Sequence, residues 1–254
     1  MSKHKPAKTD SRRAQMRAAQ IAQAKKQKNQ RIAIIAVAAV VTIALVVGVF
    51  LLVNRFNDSQ AASAPPSANA NQSGMKVWSG NAKPNAPVVA LFLDYQCPAC
   101  ANFERNFGSS LEGLAKSGDI QLEYRTMTFL DTNLRNDSST RAANAAVCAD
   151  VAGHYAEYHN AVFAHQPSQE GNGYTNDNLT KDFTAQAGIT GEALDQFNSC
   201  YANKRFSSFV NKVDDEAGRS GVTGTPSIQV NGKTLDMNKL TTPDSLRTEI
   251  MALA

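Results

Sequence analysis

The sequence predicts an α/β fold in which one sheet carries a large helical insertion. Two runs with the composition of strands, at residues 88–95 and 119–129, enclose a helix-compatible run. A block of about 90 residues with helical periodicity follows, and the chain then returns to a short strand, a turn and a final helix. Strands and helices that alternate along a chain are typical of α/β sheets. Residues 75–254 are enough for one such domain with its own core.

Composition predicts the first elements. The run from Val88 to Tyr95 follows Pro87 and is rich in β-branched and aromatic residues, as strands are. The stretch from Ala101 to Lys116 favours a helix. In residues 119–129, apolar side chains at Ile120, Leu122 and Tyr124 alternate with polar neighbours, which predicts a second strand.

The block from about residue 133 to residue 221 is predicted to be helical because its apolar residues recur with a period near 3.6. The residues that show this spacing are Tyr155, Tyr158, His159, Val162 and Phe163, and then Phe206, Phe209, Val210 and Val213. His159 lies within this apolar stripe and is predicted to be a packed core histidine. Asn231-Gly232 after the apolar residues 227–230 predicts a hairpin, and Thr242 begins a last helix.

Two cysteines stand where the first strand meets the first helix, in Cys97-Pro98-Ala99-Cys100. Thiols at i and i+3 share one face of the first helical turn and can join as a disulfide. The partial positive charge at a helix N-terminus lowers the pKa of the first thiol, which favours thiol–disulfide exchange. A zinc site is the alternative, but the chain offers no second cysteine pair and no histidines at i and i+4.

The N-terminal third predicts a membrane anchor. Residues 1–31 contain ten Lys or Arg and one acid, and residues 32–53 contain no charge. A helix of that length spans about 33 Å, enough to cross a bilayer. The positive-inside rule then places a basic tail, residues 1–31, in the cytoplasm, a transmembrane helix at residues 32–53, and the rest outside in a single-pass cell-membrane protein.

The alternative to an uncleaved anchor is a cleaved signal peptide, since Ala62-Ser63-Ala64 resembles a cleavage site. The apolar run and the basic region are both longer than a signal peptide requires, which favours the anchor. Residues 54–74 are rich in Ser, Ala, Pro and Asn and are predicted to be a flexible linker.

Charge excludes a nucleic-acid partner for the exported part. The whole chain carries a formal charge of +4, but residues 1–31 contribute +9, which leaves −5 for residues 32–254. A mildly acidic domain without a basic stripe does not suit a phosphate backbone. No dimerisation segment is recognisable, and a monomer is expected.

In its cysteine motif, the residues after it and the loop before the predicted hairpin, the chain resembles the DsbA-like branch of the thioredoxin-fold thiol–disulfide oxidoreductases. The Cys-Pro-X-Cys motif is matched by residues 97–100, the Phe-Glu pair after it by Phe103-Glu104, and the cis-proline loop before a strand by Thr225-Pro226. The helical block, about residues 131–221, falls where the family inserts its helical subdomain. The resemblance covers residues 75–254 and implies a thioredoxin-like fold with an inserted helical subdomain, here preceded by one transmembrane helix.

The resemblance also implies roles. Cys97 would be the exposed nucleophile and Cys100 the buried resolving thiol. Pro226 would be cis and face the disulfide, and the backbone of Thr225 would pair with an extended substrate segment. Substrates would be reduced or unfolded exported proteins, and a membrane oxidase of the DsbB or VKOR type would restore the disulfide. No cofactor and no metal would be needed.

Two departures from the family pattern stand out. Ala99 replaces the histidine of strongly oxidising members and cannot donate a hydrogen bond to Cys97, so a less oxidising pair is expected. Leu91 stands where some members have a buried acid. Glu104 is therefore a candidate for proton handling at Cys100, or else only a surface acid of the helix.

The remaining cysteines, Cys148 and Cys200, both lie in the helical block. In an oxidising compartment, two cysteines that remain outside the redox motif favour a structural disulfide. Two buried free thiols are the alternative. The sequence thus predicts a membrane-tethered oxidoreductase that forms disulfides in exported proteins. An isomerase or reductase in the same compartment, and a chaperone-like peptide-binding module, are the alternatives.

Overall fold

The computed structural model of the chain describes residues 25, 28, 35, 39–49 and 64–254. The chain divides into two units, residues 1–56 and 57–254. Residues 39–49 are helical. Among the described residues, no helix combines the length and the apolarity that a bilayer crossing requires. The predicted basic tail and transmembrane segment lie largely outside the described residues, so both stay predictions.

A five-stranded sheet in the order β1-β3-β2-β4-β5 forms the centre of the second unit. Strand β2 pairs in parallel with β3, and the other three pairings, β1 with β3, β2 with β4 and β4 with β5, are antiparallel. The strands are β1 (Met75–Val77), β2 (Val88–Leu93), β3 (Gln121–Thr126), β4 (Ser227–Val230) and β5 (Lys233–Thr234).

The middle strand β2 explains why the sequence shows a continuous apolar run. Leu91 and Phe92 point to opposite faces of the sheet, and both are fully buried. A strand covered on both faces needs apolar residues at every position rather than at alternate ones. Because β2 and β3 are parallel, a crossover must join them, and that crossover begins with the two-cysteine motif.

Helices cover both faces of this sheet. The crossover contains α1 (Pro98–Phe103), one π-helical turn (Glu104–Gly108) and α2 (Ser109–Lys116). The insertion between β3 and β4 contains α3 (Phe129–Leu134), α4 (Ser138–Val151), α5 (Tyr155–Ala164), a π-helical turn (Asn178–Asp182), α6 (Phe183–Gln186), α7 (Gly191–Ala202) and α8 (Ser207–Arg219). Helix α9 (Pro243–Leu253) ends the chain.

The α/β sheet with a helical insertion is confirmed, with changes at the boundaries. The predicted strand at residues 119–129 is too long, because Phe129 already begins α3 with its side chain packed against the core. The insertion therefore begins near residue 129 rather than 131. The hairpin at Asn231-Gly232 is confirmed, since both residues have positive φ, as this type of turn requires.

The prediction of a flexible linker over residues 54–74 is wrong for its second half. The Ser67 N–H donates to Asp150 at 2.9 Å, and the Asn69 side-chain amide donates to Glu123 at 2.8 Å. Asn69 and Ser73 are buried, and Ala68 pairs with Met75. Small polar residues are common in linkers, but here their hydrogen bonds attach the segment to β3 and α4.

A disulfide joins Cys148 on α4 to Cys200 on α7, with a Cα–Cα distance of 5.7 Å. The two cysteines are 52 residues apart in the sequence. Cross-linking a loop of that length stabilises the fold by roughly 4 kcal/mol in the chain-entropy account. The bond thus ties the helices of the insertion to each other.

Candidate active site

Cys97 is held at the junction of the middle strand and the crossover helix. It is the N-cap residue of α1, with an extended backbone, and Pro98 occupies the first helical position. The Cys97 carbonyl accepts the N–H groups of Cys100 at 3.1 Å and Ala101 at 3.2 Å. Its own N–H donates to the Asp94 carbonyl at 3.0 Å. The backbone on both sides of the cysteine is therefore fixed.

The Cys97 thiolate is stabilised by donors at the start of α1. A hydrogen bond from the Cys100 thiol, together with the N–H groups of Cys100 and Ala99, lowers the pKa of Cys97 to about 6, against the opposing effect of burial. The hydrogen bond from Cys100 is the largest cause. At neutral pH this sulfur is therefore mostly a thiolate, which is the nucleophilic form.

The second thiol has the opposite tendency. Cys100 is 1% exposed, and burial raises its pKa well above the ordinary value. The nearby Cys97 raises it further, because the protonated Cys100 thiol donates a hydrogen bond to Cys97 and because two thiolates in contact would repel each other. Cys97 itself is only 7% exposed, less than the resemblance implied, while its neighbours Pro98 and Ala99 are exposed. The pair thus consists of one nucleophilic sulfur near the surface and one protonated sulfur behind it.

Thr225 and Pro226 lie against the two cysteines. The peptide bond between them is cis, and the Cys97 thiol is 3.4 Å from the Thr225 carbonyl oxygen. The Thr225 hydroxyl oxygen is buried and has no hydrogen-bond partner among the described residues. This hydroxyl lowers the pKa of both Cys97 and Cys100. The loop before β4 therefore contributes a polar group to the site.

The Glu104 side chain is only 7% exposed, so the interpretation as a surface acid of the helix is wrong. Its carboxylate lies 3.4 Å from the His159 ring nitrogen, in the π-helical turn that follows α1. A side chain at Gly108 would meet the end of the Glu104 side chain, so the carboxylate would have to shift to make room. His159 is fully buried, as predicted, with its ring stacked on Tyr124 and its other nitrogen 3.1 Å from the Tyr95 hydroxyl. Proton handling by Glu104 stays a prediction.

Asp94 is a buried acid that the sequence interpretation missed. It ends the apolar run of β2, three residues before Cys97. Burial raises the pKa of Asp94 to about 7, although its carboxylate accepts hydrogen bonds from the Ser139 hydroxyl at 2.6 Å and the Gln96 N–H at 2.9 Å. Ser139 belongs to α4, so this carboxylate joins the active-site segment to the insertion. An acid directly after an apolar strand, whose last five residues are buried, was the available signal.

Two further residues of the insertion reach the active-site backbone. The Tyr174 hydroxyl donates to the Tyr95 carbonyl at 2.6 Å, and the Gln166 side-chain amide donates to the Tyr95 carbonyl at 2.7 Å and the Cys97 carbonyl at 3.0 Å. No local pattern could have identified them, because the contacts join residues about 70 positions apart.

No group of three or more His, Cys, Asp or Glu side chains suited to a metal ion occurs in the described part of the chain.

Structural comparison places the chain among known redox proteins. DsbA of Mycobacterium tuberculosis is 28% identical, with a TM-score of 0.57 over 71% of this chain and 92% of that one. DsbG of the same organism, a disulfide bond oxidoreductase, is 26% identical, with a TM-score of 0.58 over 78% and 91% of the two chains. MdbA of Actinomyces oris, a thiol-disulfide oxidoreductase, shares the fold at 22% identity, with a TM-score of 0.63 over 76% and 94%. No curated protein sequence is significantly similar to this chain.

The fold, the paired cysteines and these relatives define a thiol–disulfide oxidoreductase of the DsbA type. The sequence profile of the family described as Thioredoxin matches residues 72–251, and the chain belongs to that family. Residues 72–74, at the start of the match, fall within the segment that packs on β3 rather than within a free linker.

The role of the Thr225 hydroxyl can be tested with Thr225→Val. Removing the hydroxyl takes a donor from the thiolate, so the pKa of Cys97 should rise from about 6. The rate at which iodoacetamide alkylates Cys97 at pH 5.5 should then fall roughly threefold to tenfold. Thr223→Val, on the exposed side of the same loop, is the matched control. An unchanged rate for Thr225→Val would show that the hydroxyl does not act on the sulfur.

Proposed function

We propose that this protein forms disulfides in exported proteins by passing on the bond between Cys97 and Cys100. The observation that carries the proposal is the difference between the two thiols. Cys97 has a pKa lowered to about 6, whereas the pKa of buried Cys100 is raised well above its ordinary value. A sulfur that is stable as a thiolate is a good leaving group, so a disulfide that includes it is readily given up.

The transfer begins when a substrate thiolate attacks the Cys97 sulfur of the oxidised pair. A bond forms between the substrate sulfur and Cys97, the bond between Cys97 and Cys100 breaks, and Cys100 leaves with the electron pair. Because burial disfavours its thiolate, Cys100 then takes up a proton. The product of this step is a mixed disulfide on Cys97.

A second substrate thiolate completes the reaction. It attacks the substrate sulfur of the mixed disulfide, a new substrate disulfide forms, and Cys97 is released as a thiolate. The donors at the start of α1 stabilise this leaving group. Two electrons have then passed from the substrate to the enzyme. A membrane oxidase of the DsbB or VKOR type, which delivers electrons to a quinone, is the proposed acceptor of those electrons.

Substrate binding is proposed at the loop that covers Cys97. The Thr225 carbonyl lies 3.4 Å from the Cys97 sulfur, so a peptide attached to that sulfur passes beside the Thr225 and Pro226 backbone. Extended peptides bind exposed backbone groups by adding a strand. Pro98 and Ala99 offer an exposed apolar surface beside the same sulfur. Recognition through backbone and apolar groups suits a range of unfolded substrates.

An isomerase or a reductase at the same site is the alternative direction of electron flow. The relatives are compatible with either direction, since one is a disulfide bond oxidoreductase and others are thiol-disulfide oxidoreductases. Oxidation is favoured here because the stabilised Cys97 thiolate makes the reduced enzyme the stable form. The same effect disfavours a reductase, which must keep its electrons available.

We also propose that the domain is tethered outside the cell membrane. The described helical residues 39–49 consist of apolar residues, Gly48 and Thr42, and several of their side chains are about half to two-thirds exposed, including Val40, Ile43 and Val46. Exposed apolar side chains on a helix indicate burial in lipid or in another protein. The basic residues before this stretch place it with the N-terminus in the cytoplasm.

Catalysis through the cysteine pair predicts distinct effects for the two cysteines. Cys97→Ser should abolish disulfide formation in a reduced, unfolded test protein, because the attacked sulfur is gone. Cys100→Ser cannot form the internal disulfide and should also be inactive, but its free Cys97 should trap the substrate as a stable mixed disulfide when the test protein is supplied oxidised. Non-reducing gels and intact mass distinguish these outcomes.

Ser207→Ala, a substitution on α8 outside the site, is the control for these cysteine variants and should remain active. A chaperone-like module would keep its activity in preventing aggregation with both cysteines replaced and would show no disulfide transfer in the unaltered protein. That result would contradict the proposal. Supplying a scrambled test protein separates isomerase from oxidase, since an oxidase acts much better on the reduced protein.

The anchor can be tested by placing charge in its apolar stretch. Arginine at the centre of a membrane helix costs about 2.5–3.5 kcal/mol, so Ile43→Arg combined with Val46→Arg should move the protein out of the membrane fraction after alkaline extraction. Asn57→Arg combined with Gln60→Arg, beyond the predicted span, adds the same charge as a control and should leave the protein in the membranes. Release of the unaltered protein by alkaline extraction would contradict the anchor.

A further inference from the structure

The segment between α5 and the second π-helical turn contacts the active-site backbone through Tyr174 and Gln166, and only Gln166 reaches the carbonyl of Cys97. Gln166 is half buried in this segment, and its side-chain nitrogen lies 2.7 Å from the Tyr95 carbonyl oxygen and 3.0 Å from the Cys97 carbonyl oxygen. The two carbonyls belong to residues two apart in the chain. A single group from the insertion therefore spans the turn that leads into the cysteine motif.

The chemistry of the Gln166 side chain matches what it contacts. A primary amide nitrogen carries two N–H donors, and here one is available for each carbonyl. Lysine would bring a full charge, and a carboxylate or a hydroxyl could not donate twice. The Tyr95 carbonyl also accepts the Tyr174 hydroxyl at 2.6 Å, so two residues of the insertion hold this one carbonyl.

The Cys97 carbonyl is the part of this contact that matters for the sulfur. It is the N-cap carbonyl of α1 and already accepts the N–H groups of Cys100 and Ala101. Carbonyl oxygens carry partial negative charge, which disfavours a thiolate on the same residue. A third donor on that oxygen offsets part of this charge and also fixes the turn that presents Cys97 to the helix N-terminus.

We propose that Gln166 is a positioning residue through which the helical insertion keeps Cys97 reactive. The proposal rests on the proposed function only in that Cys97 is the reacting thiol. Gln166 acts on the sulfur through the backbone carbonyl and does not touch the substrate. The insertion is in this way part of the redox machinery as well as a cover for the sheet.

Variants with different charges at position 166 distinguish the positioning role from a mere loss of packing. Gln166→Met keeps the length and removes both donors, so Cys97 should become a weaker acid. Gln166→Glu adds a negative charge beside the two carbonyls and should have the same effect more strongly. Gln166→Lys restores donors with a positive charge and should make Cys97 at least as acidic as in the unaltered protein. Loosened packing would change all three variants in the same direction.

The test measures alkylation of the reduced, full-length protein by iodoacetamide across pH 4–9, with the modified cysteine identified by peptide mass. At pH 5.5 the rate at Cys97 should fall roughly threefold in Gln166→Met and roughly tenfold or more in Gln166→Glu, and it should not fall in Gln166→Lys. The titratable side chains next to this contact, Asp94, Cys100, His165 and Tyr174, are the same in all variants.

Gln169→Met, Gln169→Glu and Gln169→Lys, on the exposed side of the same segment, are the matched controls and should leave the rate unchanged. Equal rates in all three Gln166 variants, or a fall in Gln166→Lys as large as in Gln166→Glu, would overturn the role of Gln166. Alkylation needs no substrate protein, so this result is independent of disulfide transfer. Failure of the transfer assay alone would count against the proposed function and leave the positioning role standing.

Discussion

The unequal stabilisation of two neighbouring thiols is the constraint on which the rest of the site depends. Cys97 is held at the first turn of α1, where the Cys100 thiol and backbone N–H groups favour its thiolate, while burial keeps Cys100 protonated. This difference needs a helix that begins at a fixed position and a sulfur buried directly behind its start. The middle strand β2 supplies that fixed position, because it is buried on both faces and bonded on both edges.

The insertion is joined to this site by several polar contacts. Ser139 binds the buried Asp94 carboxylate, Tyr174 binds the Tyr95 carbonyl, and Gln166 bridges to Cys97. These contacts converge on four consecutive residues before the helix. The Cys148–Cys200 disulfide links two helices of the same insertion. The insertion therefore holds the backbone of the active-site turn, while the Thr225 carbonyl lies against the Cys97 sulfur.

Residues with local signals were predictable from the sequence, and residues defined by distant contacts were not. The cysteine motif, the hairpin at Asn231-Gly232 and the apolar strand β2 each have a local pattern that periodicity or turn chemistry explains. The Glu104 side chain is covered in a π-helical turn, which no helical period predicts, and a glycine four residues later leaves room for its carboxylate. The packed segment from residue 64 to residue 74 has the composition of a linker, and only its tertiary hydrogen bonds, such as that of Asn69, show otherwise.

The reduction potential of the Cys97–Cys100 pair tests the central claim most directly, measured by equilibrating the full-length protein with glutathione buffers. Stabilising the Cys97 thiolate favours the reduced pair and so raises the potential. Ala99 provides no side-chain donor to the Cys97 thiolate, so the reduction potential should stay below that of strongly oxidising members. The account predicts a value between about −120 mV, as in strongly oxidising members, and about −270 mV, as in thioredoxin. A potential at or below about −270 mV would contradict it and indicate a reductase supplied with electrons through the membrane.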